Sequence, residues 1–418
     1  MSAEHWPRVK VSELCDLIVD CVNKTAPSIE NETPYKMIRT PNIKNGKIDL
    51  AGCRYVEKET YEKWTRRATV DKGDVLLTRE APMGEVGLVN FEDTVFLGQR
   101  IMQYRANPKK LDSNYLLYAF LSPNLQYQFR KHDSTGSIVS HIRVPDCSEF
   151  EISTPPLGMQ KKISKVLRDI DDKIELNNRI NAELEAIAKT LYDYWFVQFD
   201  FPDANGKPYK SSGGKMVYNS TLKREIPEGW EVKSLSRITT VSNQSVNPFE
   251  YPDLVFRHYS IPVYDATKTY GLEAGSTIGS NKFTIEESDI LVSKLNPWYS
   301  RVIYAMEEPD LICSTEFVVW RTPSSSIKNF LYMVAISRQF IGYCTQSATG
   351  TSNSHKRVNP SVMMGFEIPF DGKMAISLGD NLGSIIRKMS INQRENTELA
   401  KLRDWLLPML MNGQVKVS

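Results

Sequence analysis

The sequence predicts an α+β protein built twice: two mixed, strand-rich domains separated by two long helices that pair as a coiled coil, with a pseudo-twofold internal repeat. Three observations carry this. Residues 155–200 place apolar side chains at Ile163, Leu167, Ile170, Ile174, Leu184, Ala188, Leu191 and Trp195. Their steps alternate four and three, the seam spacing of a heptad helix. A shift of 215 residues then lays that seam on Leu378, Leu382, Ile385, Met389, Leu399, Leu406 and Leu410, with Arg403 the one departure. The repeat also reaches beyond the helices, and it governs the reading of everything else. Thr135-Gly136 and Ser140-His141-Ile142-Arg143-Val144 match Thr349-Gly350 and Ser354-His355-Lys356-Arg357-Val358, and Gly73–Arg79 matches Ser288–Lys294.

In chain order, residues 1–154 form the first domain. Short alternating runs at Asp74–Thr78, Glu85–Val89 and Ile101–Arg105 are bounded by Gly, Pro and Asn, the pattern of strands. A helix over about 112–130 starts near Asp112 or Ser113 and is bent or broken at Pro123. A polar, donor-rich loop, Lys131–Ser137, follows. Pro155 and Pro156 then stop the chain before the first long helix, 155–200, and Pro202 closes it. At about 1.5 Å per residue this helix spans roughly 55 Å, and so narrow a seam calls for a partner. Residues 201–224 carry Gly, Pro, Ser and basic residues and read as a solvated linker, with phosphate contact by the basic residues as the alternative. Residues 225–370 repeat the domain, with a helix at about 326–344 and a donor loop at 345–358. The second long helix occupies 371–418.

Asn177 and Asn181 fill two seam positions, and the repeat sets Asn392 and Asn396 in their places on the second helix. Paired across the seam, such residues fix register at some cost in stability. Lying near both midpoints, they fit either helix orientation. Ile170, Ile174, Leu184, Ile385, Met389 and Leu399 flank them as the expected helix–helix contacts. The plainer alternative is two unrelated amphipathic helices in separate cores.

Length and charge set limits. The 418 residues leave room for two domains of about 150 residues plus the helices. A formal net charge of +2 excludes a basic arm that coats nucleic acid by charge alone, so any such binding must come from local patches. Six cysteines without a CxxC pair speak against zinc and for a reduced, cytosolic setting. With no leader and no apolar run of membrane-spanning length, neither secretion nor membrane spanning is expected.

The stretch Pro155-Pro156-Leu157-Gly158-Met159-Gln160 resembles the boundary before the central helix of the specificity (S) subunits of type I restriction–modification enzymes. Tyr192–Phe201 and the Ile226-Pro227-Glu228-Gly229-Trp230 opening of the second domain are similar to that family too. The similarity covers the full length. Two departures stand out: Met159 replaces a common acidic residue, and Ile368-Pro369-Phe370-Asp371 lacks the double proline and glutamine. The resemblance implies two target-recognition domains, each binding half of a split, asymmetric site in double-stranded DNA. It implies an antiparallel helix pair acting as a ruler, and two docked methyltransferase (M) subunits, with two restriction (R) subunits as optional partners. S-adenosylmethionine would belong to the M subunits, and ATP with Mg to the R subunits; this chain would hold no cofactor or metal and would not be catalytic.

Given that implication, the repeat-equivalent loops offer the right chemistry for base edges and phosphates. Candidate DNA contacts are Thr135, Ser137, His141 and Arg143 in one loop and Thr349, Thr351, His355, Lys356 and Arg357 in the other. Arg79 and Lys294, at matching strand ends, join them, with ordinary surface charge as the alternative. For Gly136 and Gly350 a structural role in turning the chain is favoured. Asn296-Pro297-Trp298-Tyr299 resembles the NPPY signature of amino-methyltransferases, but Trp298 replaces the second proline and the repeat sets Ala81-Pro82 against Asn296-Pro297. A structural turn is expected there. No Gly-rich S-adenosylmethionine loop and no GxxxxGK[ST] is present. Tyr264, Tyr270, Trp298 and Tyr299 read as packing rather than stacking surfaces. Asp171 and Arg394 read as solvated helix positions. The competing hypotheses are a protein–protein scaffold without DNA binding and a stand-alone methyltransferase built on Asn296–Tyr299.

Overall fold

The computed structural model describes residues 6–22, 24–134, 141–350, 355–415 and 417. They form two compact units, Met1–Lys173 with Leu399–Ser418, and Ile174–Glu398, so each long helix contributes a stretch to each unit. Among the described residues no helix is long and apolar enough to cross a membrane.

The first unit is built on an antiparallel sheet ordered Cys15–Asp20, Ile101–Ala106, Val75–Thr78, Val86–Leu88. Val75–Thr78 is buried at every position, so its apolar run is continuous rather than alternating as expected for a half-exposed strand. Asp74 at its start is fully buried, and its carboxylate accepts hydrogen bonds from Arg105 Nε and Nη2, both at 2.8 Å. A buried carboxylate needs such a partner, because removing charge from water costs several kcal/mol. A second, three-stranded sheet contains a parallel pair, Lys36–Ile38 with Val95–Leu97. Two helices follow, Ser113–Leu121 and Pro123–Arg130. Asp112 caps the first by accepting from Tyr115 N–H, and Ser122 caps the second directly before Pro123, where the break was expected.

The second unit repeats this plan. Its four-stranded sheet runs Thr240–Ser242, Phe317–Arg321, Asp289–Ser293, Val302–Tyr304. Asp289 is again fully buried and accepts from Arg321 Nε at 3.0 Å and Nη2 at 2.9 Å. Val255–Tyr259 and Leu311–Cys313 form the matching parallel pair, here within a five-stranded sheet. The helix expected at 326–344 is two helices, Ser325–Ala335 and Arg338–Gln346. Ser337 accepts from Phe340 N–H and starts the second of them without a proline.

The first long helix spans Leu157–Tyr192. Gln160 ties its start to the first unit, accepting from Asp112 N–H and donating to the carbonyls of Lys110 and Pro155. The second helix, Gly372–Met411, starts without the double proline; Asp371 caps it by accepting from Met374 N–H at 2.9 Å. In the second unit the two helices run antiparallel. Asn177 donates to Asn396 at 2.9 Å and to Glu395 at 2.8 Å, while Asn392 donates to Asn181 at 2.9 Å, so partners descend as the first helix ascends. Asn177, Asn392 and Asn396 are buried in this layer. Ile174, Leu184, Ile385 and Met389 lie half-buried beside it, and Ile386 rather than Ile385 reaches the core. In the first unit Ile170 is buried and Leu399 half-buried.

Two expectations for the helices are corrected. Asp171 is not a solvated position: it accepts from Tyr118 Oη at 2.7 Å and from Arg403 Nη1 at 2.9 Å, which explains why Arg403 interrupts the apolar seam. Arg394 pairs with Glu308. The stretch 201–224 is also folded rather than a loose linker. Phe201 stacks on Tyr209 and Trp230, Asp200 accepts from the N–H and hydroxyl of Ser211, and Met216–Asn219 pairs with Arg224–Pro227.

Candidate nucleic-acid interface

In the second unit the strand Asp289–Ser293 leads to a hairpin tip that is fastened to two other segments. Lys294 N–H donates to the Glu316 carbonyl at 2.9 Å, and the Lys294 carbonyl accepts from Val358 N–H at 3.0 Å. Asn296, left-handed at φ 48°, donates its N–H to the Lys356 carbonyl at 2.8 Å and accepts Lys356 N–H on Oδ1 at 3.1 Å. Thr349 and Arg357 exchange both backbone hydrogen bonds, at 2.9 and 2.8 Å. Gly350 is required here, because a Cβ would stand 2.7 Å from the His355 carbonyl.

The first unit is fastened at the matching strand end, but to a residue two positions earlier in the repeated segment. Arg79 N–H donates to the Arg100 carbonyl at 2.7 Å, and the Arg79 carbonyl accepts from Ile142 N–H at 3.0 Å. Ala81, the repeat partner of Asn296, is likewise left-handed at φ 48°. In the second unit the strand-end hairpin, its turn and the donor loop are therefore bonded together, and in the first the strand end is bonded to Ile142.

The charged residues on these surfaces are held, not loose. Arg143 donates from Nε and Nη2 to Asp146 at 2.9 and 3.2 Å. Arg357 donates from the same two nitrogens to Glu316 at 2.9 and 3.2 Å. Each carboxylate raises the pKa of its guanidinium through that hydrogen bond, so both remain cationic. Two of the five N–H donors of each guanidinium are engaged, and the side chains of Arg143 and Arg357 remain 72% and 45% exposed. His132 stands 3.4 Å from Asp146 and adds to the first cluster.

The other candidates divide. His141, Lys294 and Lys356 are half-buried and His355 is exposed, and all four lie on the fastened segments. Thr349 is exposed beside Arg357. Arg79 differs from the expectation of an exposed contact: it is only 9 % exposed and donates from Nη1 to the Ile142 carbonyl, so it supports the loop from beneath. Thr135, Ser137 and Thr351 lie outside the described residues. Asp146 and Glu316 were not anticipated. Asp146 follows Arg143 by three residues and was within reach of sequence reasoning, whereas Glu316 lies 41 residues from Arg357 and left no local signal. Asn296 uses its side chain to fasten the donor loop, which agrees with the structural turn expected of Asn296–Tyr299.

The two units are thus alike in plan, each with an arginine of the repeated segment held by a carboxylate. Comparison with known proteins gives the likeness. Residues 3–186 match the family model of the type I restriction modification DNA specificity domain. The chain is 27% identical over 392 residues to the specificity subunit of type I restriction enzyme MjaIX of Methanocaldococcus jannaschii, covering 88% of this chain and 86% of that protein. It is 23% identical over 418 residues to the HindI specificity subunit of Haemophilus influenzae, covering 84% and 88%. The crystal structure of the type I restriction–modification S subunit from M. genitalium shares the fold, with a TM-score of 0.60 over 98% of this chain and 96% of that one at 16% identity. Over most of its length the chain is thus similar to specificity subunits of type I restriction enzymes, and residues 3–186 match the DNA specificity domain model.

Proposed function

We propose that each unit reads one half of a bipartite, asymmetric site in double-stranded DNA, and that the helix pair sets half-site spacing and docks two M subunits. The observation that carries this is the duplication of the plan: in both units the residue after the inner strand bonds through its carbonyl to the segment around the shared His-x-Arg, and the arginine of that segment is held by a carboxylate. A fork presented at fixed geometry suits bidentate recognition of guanine, and flanking Lys and Thr suit phosphate. Antiparallel helices locked by an asparagine layer suit a spacer whose register must not slip. In this reading the chain itself is not catalytic. S-adenosylmethionine would bind the M subunits, and ATP with Mg would bind R subunits where these join.

Adenine-methylation mapping in a methylation-deficient host tests the proposal. Coexpression of this chain with its M subunit is expected to create a new split motif that neither protein creates alone. Absence of a motif, with the two proteins shown to bind each other, would favour a scaffold without DNA binding.

A further inference from the structure

The tips of the two hairpins differ in chemistry. In the first unit the tip is Ala81-Pro82-Met83. In the second it is Pro297-Trp298-Tyr299, a tight turn set between two left-handed residues, Asn296 at φ 48° and Ser300 at φ 49°. Trp298 is 38% exposed and Tyr299 62% exposed. They are not on a loose loop. Pro297 and Asn296 beneath them are buried, and Asn296 is bonded to the donor loop. The Arg301 guanidinium lies 4.6 Å from the Tyr299 ring centre and is itself held by Asp265 at 2.6 and 2.7 Å. The turn thus holds a large apolar ring at the solvent boundary, two residues from Asn296, which is bonded to Lys356 of the donor loop.

We propose that Trp298 is a stacking contact to a DNA base of the half-site read by the second unit, with Tyr299 and Arg301 as its supports, and that the first unit has no such contact. The proposal rests on the DNA-reading function above and adds how the second half-site is read. An indole presented rigidly loses little side-chain freedom when it stacks, and each base–aromatic stack contributes substantially to affinity. Stacking against a duplex needs a step that unstacks readily, so the second half-site is expected to place a pyrimidine–purine step under Trp298.

The test uses the complex of the full chain with its M subunits and duplexes carrying the mapped site. 2-Aminopurine is placed in turn at each position of both half-sites. Wild-type complex is expected to change the fluorescence at one position of the second half-site, and W298A to abolish that change and weaken binding about tenfold or more. W298F is expected to keep most of both. The exposed position makes misfolding of W298A easy to exclude by its unchanged M-subunit binding. Equal affinity and equal fluorescence for W298A and wild type would overturn the stacking role while leaving DNA reading intact. Failure of the wild-type complex to bind any duplex would instead overturn the DNA-reading function and this proposal with it.

Discussion

In the first unit Asp146 holds Arg143 from within the same turn, whereas in the second Glu316 reaches Arg357 from 41 residues away. The outcome is the same fork, engaged through the same two nitrogens. Beneath it, the Asp74–Arg105 and Asp289–Arg321 pairs also coincide. At the tips the units part: Pro82-Met83 in one, Trp298-Tyr299 in the other. What the two copies share is the buried carboxylate–arginine pair of the sheet and a carboxylate-held arginine at the surface, and what differs is the chemistry of the hairpin tips. Such a scaffold can change its surface without changing how it folds.

The largest effects are expected where the shared scaffold is broken. Asp74→Ala and Asp289→Ala should each lower the stability of their own unit by roughly 3–5 kcal/mol, since an arginine is left in the sheet without its buried partner. Calorimetry with hydrogen exchange would assign the loss to one unit or the other. Replacing both partners by apolar residues, Asp74→Leu with Arg105→Met, should recover most of it; no recovery would mean the pair does more than satisfy burial.

A smaller loss is expected in the helix pair. Asn396→Ala removes the acceptor for Asn177 and the donor to Asn178, and should cost about 1–3 kcal/mol in urea denaturation. The double change Asn177→Leu with Asn396→Leu should cost less than the two single changes together, because only Asn178 and Glu395, nearer the helix surface, then lose a hydrogen bond each.

A further difference separates the units by pH. Among the described residues, buried lysines occur only in the second unit. Burial pushes Lys328 down to about 7, where it donates to the carbonyls of Glu287 and Ala305 over the Tyr304 ring. From about pH 7 up to the ordinary lysine value of 10.5, the unfolded chain holds a proton that the folded chain lacks. Stability of the second unit should therefore rise with pH across that window. Lys328→Met should flatten the rise; an unchanged slope would place its origin elsewhere.

Much of this was legible in the sequence because it is periodic or local. The heptad seam, the asparagine layer, the repeat offset and the break at Pro123 each depend on near neighbours or on one fixed shift. Other features depend on tertiary contact. Arg79 carries the same charge whether it faces solvent or lies under a loop, and only the fold shows that it lies under one. Asp171 matched the polar face of a helix until Arg403 met it across the seam. Trp298 and Tyr299 looked like packing because aromatic residues usually are, and only the turn shows them held outward. The split of the second domain's helix at Ser337 had no proline to mark it.

The central claim is that each unit reads its own half-site through its fastened arginine. Methylation mapping of Arg143→Ala and Arg357→Ala, each in complex with wild-type M subunits, tests it most directly. A lost bidentate base contact should cost about 1–3 kcal/mol of discrimination at one base pair. The account predicts that each variant relaxes one position in one half of the motif and leaves the other half unchanged, with opposite halves affected by the two variants. Relaxation of both halves by either variant, or of neither by both, would contradict it.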